Sequence, residues 1–256
     1  MPPEGRPPIP PPAPRQLALP LPVAASWAEE ELLEDASNVE ALAWLQRPDR
    51  WPGGRLGLFG PAATGKTHML RGLAAARRWP ALDGLALRGL PEVPAGAGLV
   101  LDDADCAPEE EALLHLLNLC AERDQRLLLV GREAPARWRV ALPDLRSRLR
   151  AMTAVAVHPP SDALLAALLR RHFRLRQLRV ERGVQDWLLA RLPREAAAMA
   201  EAAARLDRAA LAAGGRVTRA LARAVLADWP ELGDAVEDDD SMAIREADWP
   251  STPTLL

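Results

Sequence analysis

Between residues 55 and 157, short apolar runs alternate with longer stretches whose apolar side chains recur every three or four positions. The runs Arg55–Phe59 (RLGLF), 84–87, 99–101, 126–130 (RLLLV) and 152–157 are too short for helices and are bounded by glycine, proline or charge, so five strands are predicted. Helices are predicted from residue 67 to about 78 and over 109–122. Strands alternating with helices predict a parallel sheet flanked by helices on both faces. After Pro160 the strand pattern stops. Four helical patterns follow, at 161–176, 184–192, 194–213 and 217–227, and predict a small all-α domain. Upstream, 27–45 reads as helical, broken at Asp35-Ala36-Ser37-Asn38 by a fresh N-cap. The expected organisation is a proline-rich leader at 1–25, an α/β domain at 26–158, a helical domain at 159–229 and an acidic tail at 230–256 (GDAVEDDD). Both ends are expected to be disordered.

Composition narrows the class. Hydrophobic residues make up 49% of 256, enough for one large or two small domains. A net charge of −3 gives no strong overall attraction to nucleic acid or anionic lipid. Cys106 and Cys120 match no metal-ligand spacing and fit a reducing compartment. No apolar run reaches about 18 residues, so no membrane span is expected. No basic start with an apolar core marks a secretory signal. The absence of tyrosine and the dominance of arginine over lysine read as genome composition rather than function.

One stretch carries clear chemistry. Gly60-Pro61-Ala62-Ala63-Thr64-Gly65-Lys66-Thr67 fits the phosphate-loop pattern and lies between a strand and a helix, as such a loop must. Backbone N–H groups and the helix N-terminus would surround phosphates, Lys66 would reach the β- and γ-phosphates, and the Thr67 hydroxyl would hold Mg²⁺. His68 follows in the same helical turn and is grouped with the nucleotide contacts. The bland alternative, a glycine turn that merely caps a helix, fits less well, because Lys66 is the chain's only lysine. Arginine serves everywhere else, whereas this position holds a compact ammonium. The run Leu99-Val100-Leu101 ends in two carboxylates. Asp102 is the metal-side candidate and Asp103 the candidate for activating water. Alone, these would pass for a strand running into a polar turn.

Other charges are less decisive. Arg146 and Arg148, in LPDLRSRL, read either as solvated surface or as a finger toward a neighbour's γ-phosphate. Arg194-Glu195 opens the penultimate predicted helix. Arginine is not electrostatically favoured in a first turn, which suggests an anionic ligand. The basic run 170–176 carries leucine and phenylalanine at helical spacing and reads as one wall of the bundle, with nucleic-acid contact as the lesser alternative. No helix-turn-helix follows residue 227.

With the phosphate loop, LVLDDAD, LPDLRSRL and the stretch from Trp187 through Arg194-Glu195 to Ala209 in this order, residues 16–226 resemble the AAA+ ATPases related to the replication initiator DnaA. The similarity is greatest to the Hda subfamily, which lacks the initiator's DNA-binding domain. The resemblance implies an AAA+ P-loop domain followed by a helical lid, with ADP or ATP and Mg²⁺ as cofactors. Arg148 becomes the arginine finger, Arg194 the sensor-2 arginine and Asn38 a residue bordering the adenine pocket. The sensor-1 position falls near Val130-Gly131-Arg132, where no Asn, Thr or Asp stands, so weak hydrolysis by the chain itself is expected. The link between Thr67 and Leu99 is short, so helices usual there are expected to be trimmed.

The leader holds Gln16-Leu17-Ala18-Leu19-Pro20-Leu21, similar to the motif by which bacterial replication proteins dock on the DNA polymerase III sliding clamp, its β subunit. An extended peptide would place Leu19 and Leu21 in an apolar groove, with Leu17 beside them and Gln16 hydrogen-bonded at the rim. Flanking prolines lower the entropy of ordering. Taken together, these residues describe a cytoplasmic, clamp-tethered regulator that brings about ATP hydrolysis by DnaA and limits initiation. Its partners would be DnaA and the clamp, with further copies of itself as a third candidate. No membrane contact and weak or absent direct DNA binding are expected. The alternatives are an initiator or helicase loader, and a clamp adaptor whose nucleotide is only structural.

Overall fold

In the computed structural model, which describes residues 32–213, 216–227 and 229, the apolar runs form a five-stranded sheet. Strands β1 (Arg55–Phe59), β2 (Ala81–Asp83), β3 (Gly98–Asp102), β4 (Arg126–Gly131) and β5 (Ala154–Ala156) lie in the order β2-β3-β4-β1-β5 and are all parallel. Strand side chains alternate between faces. Leu128 and Val130 of β4 join Leu56 and Leu58 of β1 under helices α1 (Val39–Leu45) and α2 (Lys66–Arg77). Leu127 and Leu129 join Leu99 and Leu101 of β3 under α3 (Glu110–Glu122) and α4 (Pro143–Arg150). Both faces are thus buried, which is why β3 and β4 read as continuous apolar runs rather than alternating ones.

Helices α5 (Asp162–Leu175), α6 (Arg182–Leu189), α7 (Ala196–Ala213) and α8 (Arg219–Ala227) build the second domain around Leu169, Leu188, Leu206 and Leu226. Ala198, Ala202, Ala203 and Ala210 of α7 are buried, so their small side chains let neighbouring helix backbones approach. An isolated parallel bridge from Val180 to Val217 ties the α5–α6 link to the entry of α8.

The domains are fastened at one turn. Ser161 caps α5, its Oγ accepting from Leu164 N at 3.1 Å, and donates the same hydroxyl to Asp35 Oδ1 at 2.6 Å. Asp35 Oδ2 also accepts from Ser37 Oγ and Ser37 N, and His158 N donates to Ser37 O. Ser161 and then Ser37 hold the Asp35 carboxyl down at about 2.

The fold class matches the expectation, with four local corrections. Residues 32–35 are not helical, and the first described helix begins only at Val39. The strand expected over 84–87 is instead 81–83. Asp83 accepts from Leu85 N and turns 84–86 into a 3₁₀ helix, while a Cβ at Gly84 would lie 2.3 Å from Asp103 O. LPDLRSRL forms a helix, α4, with proline in its first turn. Arg194 precedes α7, which starts at Ala196. Between α2 and β3 stand only β2 and that 3₁₀ turn, as the short link implied. The leader motif and the acidic tail lie outside the described residues.

Candidate functional site

Strand β1 delivers the chain at its carboxyl end into Gly60, where no side chain fits. A Cβ there would stand 2.1 Å from Val157 O at the exit of β5. The loop then takes left-handed backbone at Ala63 (φ 61°) and at Gly65 (φ 91°) before α2 begins at Lys66. For alanine this conformation costs roughly 1 kcal/mol. It curls the loop so that backbone N–H groups line a concavity suited to an anion. Thr64 Oγ1 donates to Pro61 O at 3.0 Å, and Lys66 Nζ donates to the same carbonyl at 2.7 Å. An ammonium has three donors, so one carbonyl leaves two for an anion. Burial lowers the proton affinity of Lys66, while Asp102, Asp105 and Asp103 act in the opposite sense. Thr67 is exposed at the first turn of α2.

Across the carboxyl edge, β3 ends at Asp102, whose Oδ1 accepts from Asp103 N at 3.1 Å. Asp103 sits in left-handed backbone (φ 45°). Burial first, then Asp102, Asp105 and Asp83, raise its pKa. Asp105 went unnoticed in the sequence. Its Oδ2 accepts from Arg132 N at 2.7 Å just past β4, and its charge reaches Lys66. The signal was present as the third carboxylate of LVLDDAD. Its role depends on β3 and β4 ending side by side, which spacing alone does not give. Among the described residues, no group of three or more His, Cys, Asp or Glu is arranged to hold a metal by itself.

The helical domain reaches this edge too. His172 on α5 feels the charge of His68 in the first turn of α2. Burial chiefly, then Arg176 and Arg171, depress His172 to about 4. Arg194 forms an ion pair with Asp162 at the start of α5. Both side chains are largely exposed, a class of pair worth about 0.5 kcal/mol, so Arg194 can be drawn away by a stronger anion. Asn38 is buried and occupied: its Nδ2 donates to Leu33 O and its Oδ1 accepts from Asp35 N, both at 2.9 Å. It shapes the loop 33–38, and each of its two polar atoms already holds one protein partner.

Arg148 is placed elsewhere. It lies one turn from the end of α4, and after burial its charge is the next cause that lowers the proton affinity of Arg55, the first residue of β1. The phosphate loop leaves the other end of that strand, roughly 13 Å away at 3.3 Å per residue. Arg148 therefore lies at the amino edge of the sheet, opposite the phosphate loop. Asp144 Oδ1 accepts from its Nε at 3.2 Å, one turn earlier on the same helix. Arg146 is committed to its own loop, donating to Val140 O from both Nε and Nη2.

Known structures share this architecture. Domain III of the DnaA replication initiator from Thermotoga maritima superposes with a TM-score of 0.66 at 16% identity, over 81% of this chain and 98% of that one. A DnaA structure bound to AMPPCP and single-stranded DNA matches with a TM-score of 0.55 at 14% identity, over 69% of this chain. This chain spans 63% of that longer protein. A RuvB variant from Thermotoga maritima matches with a TM-score of 0.60 at 16% identity, over 78% of this chain and 71% of that one. The fold, with the phosphate loop at the end of β1, is thus that of an AAA+ P-loop domain. Beyond it, residues 162–226 match the family model described as "Hda, lid domain". The chain accordingly joins a DnaA-like fold to an Hda-type lid.

Proposed function

We propose that the chain is a nucleotide-bound regulator of DnaA, tethered to the sliding clamp, that supplies Arg148 to the initiator's ATP. The observation that carries this reading is the separation of two anion-seeking groups on one sheet. The phosphate loop and Lys66 occupy the carboxyl edge, and Arg148 occupies the amino edge. A chain built this way can hold its own nucleotide and still offer a guanidinium to a neighbour. The match to the Hda lid supports DnaA as that neighbour.

At the carboxyl edge the residues suit ADP or ATP. Lys66 keeps two donors for phosphate oxygens, and Thr67 and Asp102 supply the hydroxyl and carboxylate that Mg²⁺ takes beside phosphate. The ion would neutralise phosphate charge there. Arg194 would exchange Asp162 for the nucleotide. Asp103, whose pKa is raised by burial and its neighbouring carboxylates, would serve as the base for water. Yet no Asn, Thr or Asp stands at 130–132, and Arg132 N is already held by Asp105. Turnover by the chain itself is therefore expected to be slow.

At the amino edge, Asp144 orients Arg148 through an exposed pair one helical turn apart, worth about 0.5 kcal/mol. A γ-phosphate would displace it easily. A planar guanidinium can bridge γ-phosphate and leaving oxygens together, and such a finger supplied in trans is worth roughly 10³–10⁵ in rate. Gln16, Leu17, Leu19 and Leu21 would hold the chain to the clamp.

The test uses DnaA carrying labelled ATP, with clamp loaded on DNA. Arg148→Ala should bind ADP and the clamp like the unmodified chain yet leave DnaA–ATP unhydrolysed. Full stimulation by this variant would remove Arg148 from the role and favour the adaptor reading.

A further inference from the structure

The net charge of −3 conceals a separation. Residues 159–229 carry thirteen arginines against seven carboxylates, whereas residues 230–256 carry eight carboxylates against one arginine. The excess arginines of the helical domain gather in one place. A groove with a volume of about 1220 Å³ opens between the end of α5, the link to α6 and the entry of α8. Arg170, Arg174, Arg179, Arg216 and Arg219 line it, with Glu181 as its one carboxylate. The guanidiniums of Arg170, Arg174, Arg179 and Arg216 are exposed and make no ion pair or hydrogen bond among the described residues. The wall of the bundle read from the basic run 170–176 is therefore only half right. Phe173 faces the core, while Arg170 and Arg174 face the groove.

Four guanidiniums in one concavity repel one another, and each has donors to spare. What fits is an extended anionic peptide with apolar residues among its charges, because Leu178 and Val217 also line the groove. We propose that the occupant is the chain's own segment 234–240, Asp-Ala-Val-Glu-Asp-Asp-Asp. Its five carboxylates meet the guanidiniums, and Ala235 and Val236 supply the apolar part. The geometry allows it. Trp229, under Arg205 at 4.4 Å, fixes the chain just past α8. From there, five to eleven extended residues reach roughly 17–36 Å. Arg219 lies about 12 Å back along α8. A tethered segment faces the groove at roughly millimolar effective concentration. The groove is thus a peptide-binding surface that the chain itself fills.

The test exploits the single native lysine. Arg174→Lys and Arg216→Lys are introduced together in the full chain, which keeps the charge and adds two primary amines. A zero-length carbodiimide is then applied, and tryptic peptides are read by mass spectrometry. The expected product joins the new amine at 174 or 216 to peptide 224–245, which holds the whole acidic run. Its yield should fall at least tenfold between low and high salt. It should also fall severalfold when Arg170→Ala and Arg179→Ala are added, since these remove groove charge without touching a reacting group. Mixing isotope-labelled and unlabelled chains distinguishes the source. Links of mixed mass would assign the groove to a second copy's tail and overturn the proposal. No link at low salt would also overturn it. If the unmodified chain then bound a labelled DNA duplex that Arg174→Glu released, the groove would belong to a nucleic-acid backbone.

Discussion

Gly60 shows how narrowly a single residue can be fixed. The position has no room for a methyl group, since Val157 O lies where the Cβ would go and both atoms belong to backbone at strand exits. Gly60→Ala must separate β1 from β5 and should cost about 3 kcal/mol. In a chain of this size that is a drop of roughly 6–12 °C in melting temperature. Gly183→Ala is the contrasting case. It lies within α6 with nothing within 4 Å of the added carbon, and should leave stability unchanged or raise it by up to about 1 kcal/mol. Thermal unfolding followed by circular dichroism separates the two. The phosphate-loop pattern made Gly60 legible in the sequence, as it did Lys66 and Thr67. Asp105 was not legible, because its contact with Arg132 arises only when two strands distant in sequence end together.

Among elements, those with strong periodicity were read nearly to the residue, as with β1, α2 and α3. β2 was misplaced because three of its residues pair with β3 at the sheet edge, a signal too short to outweigh the apolar residues just after it. α4 was overlooked because only Leu145 and Leu149 of its eight residues are buried. α5 presents a titration test. Burial keeps the His172 imidazole neutral in the folded chain, with a pKa near 4 against 6.5 for the free side chain. The unfolded chain therefore takes up the proton first. Stability from this group is complete above about pH 6.5 and is lost as pH falls toward 4. The loss should be about 2 kcal/mol, less than the full shift implies because the ring keeps some contact with water. Urea unfolding at pH 7.5 and 4.5 should show that extra loss in the unmodified chain and not in His172→Gln.

For the molecule as a whole, the division into an α/β domain and a helical lid followed from where the strand pattern stops. The electrostatic reach of His68 in α2 to His172 in α5 did not, since no periodicity reports how two domains meet. The leader enters here as well. Gln16, Leu19 and Leu21 changed together to alanine should abolish retention on immobilised clamp and leave the melting temperature within about 1 °C, the outcome expected of a docking motif that acts as an extended peptide. Weaker retention with a lower melting temperature would show instead that the leader packs on the folded body.

The turn at Asp35 has a mechanical consequence. Leu32 packs on the α/β core, and three residues later Asp35 holds Ser161. That bond joins the entry of the strand-bearing domain to the cap of the first lid helix, so a pull passed along this stretch is shared between the α/β core and the joint. A chain hung by its leader would then transmit part of its load to the hinge, and the lid would feel the line go taut.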